Sequence, residues 1–171
     1  TYVHDDPNWK GTAGSLLHAH KEGVINDDDL LLIYYGDILT NINLRDLLNR
    51  HREANAVSTI ALAEGFVVRV GVAVLEEDGR IRGFQEKPKL KEPVSIGILT
   101  LEGNLLKEIE AFKRGRTQLD IMGDVVPYLI RAGKRVYSYV TDAFWYDVGS
   151  IEAYEKLDVE LVDKLFSHLY E

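Results

Sequence analysis

Cysteine is absent from this sequence of 171 residues. Its absence excludes disulfide bonds, thiolate zinc sites and a cysteine nucleophile. Long hydrophobic runs are absent too: the longest, Leu30 to Tyr35, is far too short to cross a bilayer, and we expect no signal peptide. We therefore expect a soluble, cytoplasmic protein without a membrane partner.

Basic residues are fewer than acidic residues, and proline is scarce. Lysine and arginine together number 20 against 28 aspartate and glutamate residues, so the formal net charge is −8. Such a surface repels phosphate backbones, and we expect no nucleic-acid partner. With four prolines and 46% apolar residues, the composition is that of an ordinary globular protein. We predict a single domain over residues 1–171, able to bury roughly 70% of its unfolded surface.

The order of apolar segments predicts an α/β fold. Leu30 to Tyr35 is a continuous apolar run that ends at Gly36-Asp37, which indicates a strand buried on both faces of a sheet. Asp78-Gly79 between two apolar segments predicts a β-hairpin, and we expect Ser150 to cap a final helix that reaches Leu169. The result is a mostly parallel sheet with antiparallel additions, whose ligands bind beyond the carboxyl ends of the strands.

Two glycine-containing segments are candidate binding sites. Gly11-Thr12-Ala13-Gly14 begins a predicted helix, where the glycines permit close approach to a ligand and the free amides favour acceptors. The alternative for this segment is an ordinary turn. Gly36-Asp37 follows the apolar strand, where the carboxylate can hold a divalent cation while the glycine leaves room for a ligand. The alternative for Asp37 is a turn or helix cap.

Two charged segments are further candidates. Glu86-Lys87-Pro88 ends the second hairpin strand, and it offers a carboxylate for hydroxyl groups beside an ammonium for a phosphate. The alternative is a solvated ion pair. Asp147 follows three aromatic residues, Phe144-Trp145-Tyr146, in an arrangement similar to that of Gly36-Asp37. Core packing explains the aromatic residues, and a ligand role for Asp147 competes with a role as a cap.

Taken together and in order, these segments resemble the sugar-1-phosphate nucleotidylyltransferases, the enzymes that make nucleotide-sugars such as GDP-mannose, UDP-glucose and dTDP-glucose. The matching segments are Gly11-Thr12-Ala13-Gly14-Ser15-Leu16, Tyr35-Gly36-Asp37-Ile38-Leu39, Gly71-Val72-Ala73-Val74 before Asp78-Gly79-Arg80-Ile81, Phe84-Gln85-Glu86-Lys87-Pro88, and Trp145-Tyr146-Asp147-Val148-Gly149-Ser150 with Ala153-Tyr154. They extend over nearly the whole chain. The resemblance implies a Rossmann-like nucleotide-diphospho-sugar transferase fold with a mixed, mostly parallel sheet.

The resemblance also implies an activity and a set of site residues. The activity is transfer of a nucleotidyl group from a nucleoside triphosphate to a sugar 1-phosphate, with release of pyrophosphate. Asp37 and Asp147 would hold Mg²⁺, and Lys87 would complete the catalytic set by binding the sugar phosphate. The other implied substrate contacts are Gly11, Thr12, Ala13 and Gly14 at the nucleobase, Gly36 beside the ligand, and Gly71, Glu86 and Ser95 at the sugar.

The sequence departs from the family pattern at its start. Family members open with a strand and a Gly-Gly-x-Gly-x-Arg-x-x-Pro-x-Thr-type loop that cradles the triphosphate, whereas ten residues precede Gly11 here. We therefore expect an amino-terminally incomplete chain that forms a homo-oligomer or associates with a missing amino-terminal segment.

Two other functions compete with the enzymatic one. The first alternative is a non-catalytic regulatory or scaffolding relative that keeps the fold and binds nucleotide-sugar. Retention of Asp37, Lys87 and Asp147 favours the enzyme over a scaffold. The second is a glycosyltransferase with a metal-binding Asp-x-Asp motif, which is disfavoured because Asp27-Asp28-Asp29 precedes a strand instead of following one.

Overall fold

A computed structural model describes residues 1–4 and 6–167 of the chain, and Leu169 of the predicted final helix lies outside them. The α-helices are α1 (Thr12–Lys21), α2 (Leu44–Glu53), α3 (Leu106–Lys113), α4 (Val126–Arg131), α5 (Ile151–Glu155) and α6 (Val159–Phe166), and a 3₁₀ helix (Gly103–Leu105) and a π-helix (Ile121–Val125) precede α3 and α4. The strands are β1 (Leu30–Tyr34), β2 (Ile38–Thr40), β3 (Ser58–Ala63), β4 (Val72–Leu75), β5 (Ile81–Gln85), β6 (Val94–Glu102), β7 (Val136–Thr141) and β8 (Trp145–Asp147). This mixture of helices and strands confirms the predicted α/β class.

Two compact units make up the chain. The first comprises Thr1–Tyr35, Leu44–Ile60 and Ile98–Tyr139, and the second comprises Gly36–Asn43, Ala61–Gly97 and Val140–Glu171. The single domain expected over residues 1–171 stays a prediction.

The largest sheet has four strands in the order β1-β6-β3-β7. Strand β1 pairs antiparallel with β6, with Leu30 opposite Glu102 and Tyr34 opposite Ile98. Strand β1 stands at the end of this order, and Leu32 and Tyr34, two residues apart and thus on the same face, are 39% and 40% exposed. The expectation that this strand is buried on both faces is therefore wrong. An apolar run shows that a strand tolerates burial, but the run does not encode how many neighbours the strand has.

The core of the first unit combines apolar packing with a buried polar network. Leu47, Leu99 and Leu129 are completely buried. His51 is 2% exposed; its Nδ1 lies 2.8 Å from Thr100 Oγ1, and its Nε2 lies 3.0 Å from Glu102 Oε1. Both ring nitrogens therefore have partners, as buried polar groups require.

The second unit is built on two short antiparallel ladders, β2-β8 and β4-β5. The predicted hairpin is confirmed: Val72 lies opposite Gln85, and Gly79 has a φ of 84° in the connecting turn. That positive φ explains why the turn contains glycine. All four residues of β4 are exposed, so this hairpin contributes little to a core.

The predicted final helix is interrupted. Ser150 caps α5 as expected, since its hydroxyl accepts a hydrogen bond from the amide of Ala153 at 3.1 Å. The expected continuation is wrong, because Asp158 starts a new helix by accepting from the Leu161 amide at 3.0 Å. Helical spacing of leucines does not reveal such an internal cap. Within residues 1–4 and 6–167, no helix is long and apolar enough to cross a membrane.

Candidate functional site

The β2-β8 ladder places Asp37 and Asp147 side by side. Asp37 directly precedes β2, and the first residue of β2, Ile38, lies opposite Asp147. The amide of Val148 donates a 2.8 Å hydrogen bond to the backbone carbonyl of Asp37, which extends the pairing beyond the strands. Two aspartates that are far apart in sequence thus become neighbours at one end of a ladder.

Their carboxylates converge on the space beside Gly149. A Cβ at position 149 would lie 2.9 Å from Asp37 Oδ2 and 3.0 Å from Asp147 Oδ1, so oxygens of both carboxylates lie within 3.0 Å of one point. The Gly149 amide also donates to Asp147 Oδ1 at 2.7 Å, which orients that carboxylate. Glycine is the residue that leaves this space open between the two side chains.

The two oxygens suit a hard cation such as Mg²⁺. Mg²⁺ is commonly bound by one or two carboxylates, with water and substrate phosphates as its other ligands. Over the residues that the structure describes, no group of three or more histidine, aspartate or glutamate side chains is placed to hold a metal. Asp37 and Asp147 therefore fit a metal shared with substrate, and not a fully protein-enclosed one.

A cleft of about 930 Å³ opens in front of these carboxylates, within the second unit. This volume is within the usual range of small-molecule sites. The residues that line the cleft are Asp37, Glu64, Gly65, Phe66, Val67, Arg69, Trp145, Tyr146, Asp147, Gly149, Ser150 and Ala153. One wall is aromatic, because the rings of Phe66 and Trp145 stack with centroids 6.1 Å apart.

The β4-β5 hairpin brings Gly71 and Glu86 together. A Cβ at position 71 would lie 3.0 Å from Glu86 Oε2 and would overlap with the ring of Phe84. The absence of a side chain at Gly71 therefore makes room for both neighbours. Lys87 has a φ of 47°, a left-handed conformation that is unfavourable for a residue with a side chain. This left-handed residue stands directly before Pro88 at the end of the hairpin.

The glycines of the Gly11-Thr12-Ala13-Gly14 segment are explained by contacts within the first unit. A Cβ at Gly11 would overlap with the carbonyl oxygen of Leu119, and one at Gly14 would lie 2.6 Å from the carbonyl oxygen of Trp9. The amides of Ala13 and Gly14 donate to the Leu119 carbonyl at 3.1 and 3.3 Å. These amides are therefore already paired within the chain, and the proximity of this segment to a nucleobase stays a prediction.

Other predicted site residues do not line the cleft. They are Gly36, Gly71, Glu86, Lys87 and Ser95. Ser95 is exposed, and its hydroxyl accepts a 3.4 Å hydrogen bond from the amide of Gly97. No other heavy atom lies within 4 Å of a Cβ placed at Gly36, which leaves space there for a ligand. The ligand roles of these five residues stay predictions.

Several residues of the cleft were not identified as ligand-contacting residues from the sequence. Gly149 belongs to a segment that carries the family resemblance, so its position two residues after Asp147 could have identified it as a cleft residue. Arg69 and Glu64 had no such signal, because each is an isolated charged residue in a loop. Phe66 and Trp145 meet only through folding, and their stacking is not encoded in any spacing.

Comparison with known proteins identifies the family. The model of the nucleotidyl transferase family matches residues 2–164. The chain belongs to this family. The predicted resemblance is therefore confirmed over nearly the whole chain.

The relatives in this family include several glucose-1-phosphate adenylyltransferases. The enzyme of Desulfitobacterium hafniense strain Y51 is 32% identical over 170 residues, covering 92% of this chain and 43% of that protein. The enzyme of Thermotoga maritima is 32% identical over 167 residues, covering 93% of this chain and 40% of that protein. The chain thus spans about two fifths of the length of these curated relatives.

Solved structures of other proteins share the fold. HddC from Yersinia pseudotuberculosis superposes with a TM-score of 0.63 at 17% identity, covering 93% of this chain and 65% of that one. A provisionally named glucose-1-phosphate thymidylyltransferase from Bacillus anthracis gives 0.67 at 18% identity, covering 95% of this chain and 65% of that one. These neighbours confirm the Rossmann-like α/β fold.

Proposed function

We propose that the protein transfers a nucleotidyl group from a nucleoside triphosphate to a sugar 1-phosphate and releases pyrophosphate. The observation that carries this proposal is the convergence of Asp37 and Asp147 beside Gly149, at the edge of a cleft of ligand size. The names of the curated relatives favour ATP and glucose 1-phosphate as the first pair of substrates to test.

The reaction requires alignment and charge neutralisation more than proton transfer. An oxygen of the sugar 1-phosphate forms a bond to the α-phosphorus of the triphosphate. The bond between that phosphorus and the oxygen that bridges it to the β-phosphorus breaks. The electron pair of the broken bond leaves with pyrophosphate. Because the attacking phosphate is already ionised, no general base is needed, and preorganised positive charge is the main requirement.

We assign roles to the residues on this basis. Asp37 and Asp147 would hold Mg²⁺, which when bound supplies charge neutralisation at the phosphates. Lys87, turned by its left-handed backbone, would bind the sugar phosphate. Glu86 beside Gly71 would accept hydrogen bonds from sugar hydroxyls. The aromatic wall of Phe66 and Trp145 would exclude water from one side of the cleft.

Pyrophosphate release by the full-length protein tests this proposal. With ATP, glucose 1-phosphate and Mg²⁺ we expect turnover that a chelator abolishes. Asp37→Asn and Asp147→Asn should each lower the rate by about 10²- to 10³-fold, the loss typical of removing a preorganised electrostatic group. Asp142→Asn is the matched control, because Asp142 is exposed in the same unit and does not line the cleft.

Two outcomes would contradict the proposal. If neither Asp37→Asn nor Asp147→Asn lowers turnover below that of Asp142→Asn, the carboxylates have no catalytic role. If the full-length protein binds nucleotide-sugar but releases no pyrophosphate with any nucleoside triphosphate and sugar 1-phosphate, it is the non-catalytic relative instead.

A further inference from the structure

The charges around the cleft are unbalanced. Of the described residues that line it, three carry carboxylates, Asp37, Glu64 and Asp147, whereas Arg69 carries the one cationic side chain. A phosphate ester that enters such a cleft is repelled unless positive charge faces it. A metal at Asp37 and Asp147 would offset the charge of those two residues, and Arg69 offers the remaining positive charge.

Backbone hydrogen bonds of neighbouring residues hold the loop that contains Arg69. The preceding residue, Val68, donates its amide to the Pro88 carbonyl at 2.9 Å, and Phe66 accepts from the amide of Leu90 at 2.8 Å. This pairing ties the Arg69 loop to the segment that follows Lys87. On the other side, Phe66 is held against Trp145 by ring stacking. Arg69 therefore directly follows a residue that is paired with Pro88, and it lines the same cleft as Phe66 and Trp145.

The N–H groups of the Arg69 guanidinium are available to bind a ligand. Within the described part of the chain, no hydrogen bond or ion pair within 4.0 Å engages the Arg69 side chain. The charge of Arg69 also acts on Glu152, whose pKa is lowered chiefly by a hydrogen bond from Lys156 and only weakly by Arg69. Glu152 already has a cationic partner, so Arg69 is not needed there.

We propose that Arg69 binds the phosphate group of the sugar 1-phosphate, with two parallel N–H groups donating to two phosphate oxygens. The planar guanidinium matches phosphate geometry in this way, whereas an ammonium acts as a point charge. The assignment rests on the proposed function, because it places the sugar 1-phosphate in this cleft. It makes Arg69 a substrate-binding residue that acts beside Lys87.

Kinetics of Arg69→Gln in the full-length protein provide the first test. We expect KM for glucose 1-phosphate to rise by about 10- to 100-fold, the range for a lost hydrogen bond to a charged group. KM for ATP should change less than twofold, and Arg69→Lys should give an intermediate value. Arg82→Gln, which removes an exposed arginine outside the cleft, should match the wild type. An unchanged KM for glucose 1-phosphate in Arg69→Gln would overturn the inference.

Direct binding separates this inference from the proposed function. Calorimetry should show that the wild type binds glucose 1-phosphate more tightly than glucose, and that Arg69→Gln loses most of this preference. If no pyrophosphate is released yet Arg69→Gln still abolishes the preference, the proposed reaction fails and phosphate binding by Arg69 stands. If the wild type and Arg69→Gln bind glucose 1-phosphate equally, the inference fails even in an active enzyme.

Discussion

The two compact units differ in what they bury. The first unit holds completely buried leucines, including Leu47, Leu99 and Leu129, and a histidine whose ring nitrogens are both paired. The second unit exposes the whole of β4 and concentrates carboxylates around an open cleft. Unpaired like charges and exposed apolar strands add little to stability. The comparison indicates that the first unit contributes the completely buried leucines and the paired histidine, whereas the second unit contains the candidate site.

Truncation of a buried leucine in the first unit should have the largest effect. Leu129 is completely buried, so Leu129→Ala should lower the free energy of unfolding by about 2–5 kcal/mol. Ile130→Ala is the control, because Ile130 is 58% exposed on the same helix, and its loss should be well below that of Leu129→Ala. Urea unfolding measures both. Equal losses would show that burial in the first unit does not dominate stability.

Addition of one methyl group at Gly149 should separate activity from stability. Its Cβ would press on the ends of the Asp37 and Asp147 side chains, which can move aside at small cost to folding. Displacement of catalytic groups by about 1 Å can lower a rate by roughly 10²-fold, so we expect a loss of that order in Gly149→Ala. Gly83→Ala, where a Cβ meets nothing within 4 Å, is the control. Full turnover by the Gly149→Ala protein would argue against a shared site.

Removal of the buried histidine should destabilise the first unit without altering the cleft. His51→Leu leaves the hydroxyls of Thr59 and Thr100 and the carboxylate of Glu102 without this partner. An unsatisfied buried polar group costs about 1–3 kcal/mol, and chemical denaturation should show a loss in that range. His4→Leu is the control: because His4 is exposed, this variant should lose almost no stability. A His51→Leu protein as stable as the wild type would mean that the network contributes nothing net.

The smallest effect expected is a pH dependence of stability from Glu108. A hydrogen bond from Lys134 at 2.7 Å, followed by one from Tyr128 at 3.0 Å, lowers the pKa of this carboxyl below 4.5. The stability that ionised Glu108 adds is therefore fully present above the unfolded-state pKa, and it is lost as the pH falls through the folded-state pKa.

Because Glu108 and Lys134 are both about one-third exposed, we expect their ion pair to add less than about 1 kcal/mol to the free energy of unfolding. Glu108→Gln should reduce stability at pH 7 and make no difference at pH 2. An equal loss at both pH values would assign the effect to packing instead of charge.

Local chemistry made much of this structure predictable. The Asp-Gly turn specified the hairpin, and the Ser150 hydroxyl specified the start of α5, because both effects act over a few residues. The pairing of Asp37 with Asp147 was expected only through family resemblance, since no local rule aligns β2 with β8. The exposure of β1 and the position of Arg69 in the cleft depend on which segments become neighbours, and such long-range information is not contained in periodicity.

Manganese binding tests the central claim that Asp37 and Asp147 share one metal ion. Electron paramagnetic resonance titration with Mn²⁺ as a substitute for Mg²⁺ should find one site per chain. Asp37→Asn and Asp147→Asn should each weaken that site by at least about tenfold, the smallest loss seen even for outer-shell partners of a metal. Asp142→Asn should bind as the wild type does. Retention of full affinity by either cleft variant would contradict the shared site.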